Sequence, residues 1–241
     1  MRPITVIQTA DMHGRLTQEI AGRLRELKRR EGALLFDCGD ALDAPNYLPL
    51  PRKPDIVAAM NSAGYDAMAL GNREYGWRRS TTARKLSGLV FPVLSANMVT
   101  GDGYPQVVRA SVSLTTDGLT VGVFGISPNM APAGSLAQRT SDVQFIAAER
   151  AARQALARLS QENDIVIGLL HWGTNMEEQM QLIQRLEGLD LALAGHWHVE
   201  TGSLTFIGDI AVSRCGCRGR EAAVLRRQSD GRWEQELVSL R

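Results

Sequence analysis

The chain holds four histidines, at positions 13, 171, 196 and 198, and each stands within a few residues of the end of an apolar run. Asp11 and His13 lie two apart after Ile4-Thr5-Val6-Ile7, Asp40 follows Ala33-Leu34-Leu35-Phe36, and Asn72 follows Ala67-Met68-Ala69-Leu70. Core histidines scattered through a fold would not share that placement. Imidazole and carboxylate together suit a borderline divalent cation such as Zn, Mn or Fe. Asp11, His13, Asp40, Asn72, His171, His196 and His198 make seven nitrogen and oxygen donors, more than one tetrahedral ion uses and enough for two. Two ions that share a carboxylate sit about 3.5–4 Å apart. Asp11-Met12-His13 by itself would be no more than a polar turn after a strand; the recurrence carries the metal reading.

These residues need elements that end together. The β-branched run before Asp11 reads as a buried strand, and a period of two turns Asp11 and His13 the same way if the extension continues. The C-terminal ends of strands are where open α/β sheets place their sites. Positions 17–31 carry Ile20, Leu24 and Leu27 at helical spacing, with a basic outer face. Strands are expected at 33–36, 67–70 and 90–94, the last running into Ser95-Ala96-Asn97, with helices at 56–63 and 78–86. Positions 107–114 and 119–126 read as a hairpin closed at Thr116-Asp117-Gly118. From there the chain is expected to turn more antiparallel. Helices at 145–159 and 177–186 alternate with strands at 165–170 and 189–194, and 204–238 reads as antiparallel strands on a second sheet. The stretch 44–54, with prolines at 45, 49, 51 and 54, reads as an extended loop, either a rim of the site or a plain connection.

A length of 241 residues with 44% hydrophobic content suits one α/β domain spanning 1–241. Lys plus Arg, 27, nearly cancel Asp plus Glu, 26, so no global field draws the protein to nucleic acid or to acidic membranes. A nuclease would rest only on Arg78, Arg79, Arg84 and Lys85. Cys38, Cys215 and Cys217 cannot all pair and read as reduced structural thiols. The first strand begins too early for a signal segment, and no apolar run approaches the roughly 18 residues of a spanning helix, so a cytoplasmic protein is expected.

The ordered motifs Asp11-Met12-His13-Gly14, Gly39-Asp40, Gly71-Asn72-Arg73-Glu74, His171 and Gly195-His196-Trp197-His198 resemble those of the calcineurin-like metallophosphoesterase superfamily. Ser95-Ala96-Asn97 and Gly125-Ile126-Ser127-Pro128 look most like the catalytic domain of the bacterial 5′-nucleotidase and 2′,3′-cyclic phosphodiesterase branch. The resemblance implies a four-layer αββα sandwich of two mixed β-sheets flanked by helices. It implies two divalent ions per chain, Mn, Fe or Zn with Mn preferred. One would take Asp11, His13, Asp40 and His198 and the other Asp40, Asn72, His171 and His196, with Asp40 as the bridge. It also implies hydrolysis of a small phosphate ester by in-line attack of a metal-bound hydroxide, with Asn72, His171 and Arg73 as the catalytic positions.

Two departures from the family pattern matter. The third motif usually carries a His that assists the leaving group, and this chain has Arg73, which cannot give up a proton at ordinary pH. Arg73 can still supply fixed charge to a phosphoryl group; the alternative is a catalytically weakened metal- or nucleotide-binding protein. Nucleotidases of this branch also carry a further domain whose aromatics clasp the base, and the expectation here is a single domain without that nucleoside specificity. Arg73, Asn97, Trp172 and Trp197 are the expected substrate contacts, with Trp77 a further aromatic near a motif.

Overall fold

The computed structural model describes residues 2–44, 56–101, 104–131 and 134–241. The proline-rich loop lies, from position 45 on, outside the described residues. The first half runs β1 (Ile4–Thr9), α1 (Gln18–Glu31), β2 (Leu34–Asp37), α2 (Ile56–Ala63), β3 (Ala67–Ala69), α3 (Arg79–Leu86), β4 (Val93–Leu94) and β5 (Val108–Arg109). It continues with β6 (Ser111–Thr116), β7 (Leu119–Ile126), α4 (Leu136–Thr140), α5 (Ala148–Glu162), β8 (Ile165–Leu170), α6 (Met176–Gln184) and β9 (Leu191–Ala194). The chain closes with β10 (Thr205–Ile207), β11 (Ile210–Arg214), β12 (Glu221–Arg227) and β13 (Trp233–Ser239).

The strands form two mixed sheets, ordered β13-β12-β1-β2-β3-β4-β5 and β10-β11-β9-β8-β7-β6. Side-chain alternation decides how they stack. Val6, Phe36, Ile165, Ile167 and Leu169 bury into the layer between the sheets. Their neighbours Ile7 and Leu35 face the other way, onto Leu24 and Leu27 of α1 and Val57 and Met60 of α2. Val166 and Leu170 face Leu156 and Leu159 of α5 and Ile183 of α6. A strand buried on both faces needs a near-continuous apolar run; β8 has one throughout, and β1 and β2 have one up to the buried polar residues at their C-terminal ends. The result is helix, sheet, sheet, helix, the expected α/β sandwich.

Two expectations are corrected. Positions 107–114 do not form one hairpin arm: β5 pairs with β4 in the first sheet, and β6 pairs with β7 in the second, so the chain changes sheets at Ala110. The second half does turn more antiparallel, since β6 with β7, β10 with β11, β1 with β12 and β12 with β13 are antiparallel pairs, although β7, β8, β9 and β11 keep a parallel core in the second sheet. The final segment is shared, with β10 and β11 in the second sheet and β12 and β13 extending the first beside β1. Among the described residues no helix is long and apolar enough to cross a membrane.

Candidate metal centre

β1, β2 and β3 are adjacent and parallel, so the turns that follow them stack at one end of the first sheet. β8 and β9 do the same in the second sheet. Gln8 joins the two: its buried amide donates to the Ala194 carbonyl at 3.1 Å and accepts from the Ser213 hydroxyl at 2.6 Å. The turn after β1 zips onto the turn after β2 through Asp11 N to Gly39 O, 2.9 Å, and His13 N to Asp40 O, 3.0 Å.

Asp11, His13, Asp40, His196 and His198 all have positive φ, between 44° and 82°. Side chains other than glycine seldom adopt that conformation, which costs on the order of 1–3 kcal/mol per residue and gathers at functional sites. β1 stops at Thr9, so the period of two does not orient Asp11 and His13; two left-handed residues do.

The side chains meet in two overlapping groups, Asp11 with His13 and His198, and Asp11 with Asp40 and His171. His198 Nε2 lies 3.2 Å from Asp11 Oδ1 and 2.9 Å from His13 Nε2. His171 Nε2 lies 3.4 Å from Asp40 Oδ1, 3.3 Å from Asn72 Oδ1 and 3.1 Å from His196 Nδ1. His171, Asp40, Asp11 and Asn72 are buried, whereas His13 and His196 are half-buried and His198 is exposed. The centre therefore has a closed floor at His171 and an open mouth at His198.

These donors fit divalent cations on three observations. Asp11 Oδ1 is buried without a hydrogen-bond partner among the described residues. Two pairs of ring nitrogens face each other at 2.9 and 3.1 Å, each pair able to share one proton at most; donors about 2.0–2.1 Å from one ion would lie roughly 3–3.4 Å apart. His171 Nδ1 donates to the Cys38 carbonyl at 2.7 Å, which leaves Nε2 turned to the cluster, the usual arrangement behind a metal-bound imidazole. The electrostatics agree. Burial opposes charge on His171, but Asp40 and the other carboxylates outweigh it and raise its pKa. Burial likewise opposes ionisation of Asp40, yet His171 and the Arg73 N–H hold its pKa down. The pocket calls for positive charge, and a proton and a cation compete for it. Burial, aided by the His171 charge, pushes His196 down to about 4 and keeps its lone pairs free.

The third motif is clamped from both sides. Arg73 N donates to Asp40 Oδ1 at 2.7 Å, and the buried Glu74 carboxylate accepts from Asp40 N at 2.9 Å and Leu42 N at 3.0 Å. Gly71 must be glycine, since a Cβ there would lie 2.3 Å from Asp40 N and 2.5 Å from Asp40 Oδ1. The Arg73 side chain is half-buried, its Nε has no partner among the described residues, and its charge acts on His13. Asn97 is not free for substrate: its amide donates to Ser127 O at 2.8 Å and accepts from Ser127 N at 2.9 Å, tying the end of β4 to the end of β7. Trp172 and Trp197 line a cleft beside His196.

Other residues that build the centre carry no motif. Gln179, wholly buried in α6, donates to the carbonyls of Leu170, Trp172 and Gly195 and so fixes the turns that hold His171 and His196. Lys85 reads in sequence as part of a basic face, but it is wholly buried and its Nζ donates to the carbonyls of Arg73 and Tyr75, each at 2.8 Å. Arg79 of the same stretch bonds Asp142. Neither belongs to an open basic groove.

Burial pushes the Lys85 ammonium down to about 8, against an ordinary 10.5, with Glu74 opposing. A base whose folded pKa lies below its unfolded one costs stability while it is charged in both states, and that cost fades as pH rises through the folded value. Urea unfolding should therefore show wild type gaining on Lys85→Met between pH 8 and 10.5. A difference constant across that window would mean that Lys85 carries its charge without strain.

No family model matches the chain. A 5′-nucleotidase of Diplobatis ommata is 28% identical over 217 residues, covering 80% of this chain and 37% of that protein. Among solved structures, the calcineurin-like phosphoesterase YfkN of Bacillus subtilis superposes with a TM-score of 0.73 at 18% identity, covering 99% of this chain and 91% of that one. This chain has the calcineurin-like phosphoesterase fold. A 5′-nucleotidase precursor from Thermus thermophilus shares that fold with a TM-score of 0.81 at 20% identity, over 99% of this chain and 54% of that one. The chain thus spans well under half of the curated nucleotidase, and the calcineurin-like fold accounts for nearly all of it.

Proposed function

We propose that the chain is a dinuclear metal-dependent phosphoesterase domain acting on small phosphate esters. The observation that carries this reading is the gathering of seven nitrogen and oxygen donors from five strand ends around a buried carboxylate oxygen that faces His198 and has no hydrogen-bond partner among the described residues. Asp11, His13, Asp40 and His198 would hold one ion, and Asp40, Asn72, His171 and His196 the other. The Asp40 charge acts on His13 as well as on His171, as a bridge would, and Asp11, which belongs to both groups of donors, acts on the same two rings. Bound divalent cations supply Lewis-acid polarisation of a phosphoryl oxygen and neutralise its charge.

The chain's own groups do the rest. The Cys38 carbonyl fixes the tautomer of His171. Glu74 and the Arg73 N–H hold the Asp40 carboxylate and its backbone in place. The Arg73 guanidinium offers fixed charge and a planar fork to phosphoryl oxygens. The nucleotidase relatives, including a probable 5′-nucleotidase of Treponema pallidum at 29% identity, make nucleotides the first esters to try.

The test is a titration of chelator-treated protein with Mn²⁺, read by metal analysis and by turnover of p-nitrophenyl phosphate, AMP and a cyclic nucleotide. Two ions per chain and metal-dependent turnover are expected. Saturation at one ion would rule out the dinuclear centre, and two ions with no turnover of any ester would leave a metal-binding protein.

A further inference from the structure

Beside the donor cluster, a cleft of about 590 Å³ opens between the turns that follow β7, β8 and β9. Because these three strands are neighbours and parallel, Met130, Trp172 and Trp197 are all delivered to its lining. His196 belongs both to this cleft and to the donor cluster, so a molecule held by its phosphoryl group at the cluster would extend along the indoles.

The walls are fixed. Trp197 packs edge-on against the His196 ring, with centroids 4.7 Å apart and planes at 71°. The Tyr75 hydroxyl donates to the Pro128 carbonyl at 2.9 Å and accepts from Met130 N at 3.0 Å, which binds the third wall to the third motif. Met130 is 41% exposed, and its flexible, polarisable thioether suits contact with the edge or face of a ring. Asn129, Thr174 and His196 add polar groups to the lining, and Trp197 Nε1 is buried and has no partner among the described residues. A buried indole N–H normally finds an acceptor.

We infer that this cleft seats the organic group of the ester, a flat aryl or heteroaryl ring with a hydrogen-bond acceptor that meets Trp197 Nε1. The inference rests on the phosphoesterase reading and adds the substrate class to it. A stacked ring is held by the faces and edges of Trp172 and Trp197 and by the Met130 thioether.

Calorimetry on Mn²⁺-loaded protein tests this with ligands that carry a carbon–phosphorus bond and are not turned over. Inorganic phosphate, methylphosphonate, 1-naphthylphosphonate and 5-isoquinolinylphosphonate form the series. Naphthyl should bind about tenfold or more tighter than methyl, the scale of one well-made aromatic contact with its buried area, and isoquinolinyl tighter again. Trp172→Leu, which keeps an apolar wall without a flat one, should bring the naphthyl-to-methyl ratio near one. Trp197→Phe should keep most of that ratio and lose the isoquinolinyl advantage. Equal binding of phosphate, methyl and naphthyl ligands would overturn the cleft assignment while leaving the metal centre standing. Failure of every ligand, phosphate included, would overturn the phosphoesterase reading together with it.

Discussion

Asp40→Asn should lose both metal ions together and lower kcat/KM by about a thousandfold or more, the scale reached when a group that holds transition-state charge is removed. Its buried carboxylate lies 3.4 Å from His171 Nε2, and its charge acts on His13 across the centre. Asparagine keeps the shape, and its amide oxygen can still accept the Arg73 N–H, so the turn should survive and the loss should trace to charge. His13→Ala gives the contrast. His13 sits at the half-open mouth and contributes to only one group, so its removal should weaken one site first and leave the other near its wild-type affinity. Metal content against free Mn²⁺, measured on both variants beside unfolding curves, separates these outcomes. If the two variants lose ions in the same independent way, Asp40 is not the shared ligand.

The gathering of the candidate donors was legible in the sequence because each follows a short apolar run that reads as a buried strand, and strand ends of parallel sheets converge. The backbone that aims those donors was not. Asp and His are enriched in left-handed φ among non-glycine residues but adopt it only in a minority of cases, so the turn after β1 reads as more strand. The sheet change at Ala110 is equally hidden, since β5 and β6 are separated by one residue and alternate alike. Lys85 and Gln179 illustrate a different limit. On a helix, a polar residue reads as solvent-facing by default, and only the carbonyls that each one collects from neighbouring turns reveal a buried tie. Gln8 carries a signal that could have been used: it is a long amide inside a β-branched run buried on both faces, where a polar side chain must find partners.

Arg73 should divide substrates by leaving group. Assistance from a well-placed general acid contributes about a hundred- to ten-thousandfold, and most when the departing oxygen is a basic alkoxide. In the phosphoesterase reading proposed above Arg73 takes the place of the motif's His, and a guanidinium does not release its proton at working pH. Its backbone N–H is committed to Asp40, while Nε remains unpartnered among the described residues, so the side chain is poised to bond an anion rather than to deliver a proton. Activated phenolates and anhydride phosphates leave without a proton and should be cleaved well, whereas simple alkyl phosphates should be poor substrates. Arg73→His should then raise alkyl turnover by more than aryl turnover and introduce a pH dependence on the alkyl ester alone. Metal occupancy must be matched between the two proteins, because a change in metal content would mimic either result. Equal slowing of both substrates by Arg73→His would mean that the guanidinium clamps the phosphoryl group in ground and transition states alike, and that the leaving group departs without help from this position.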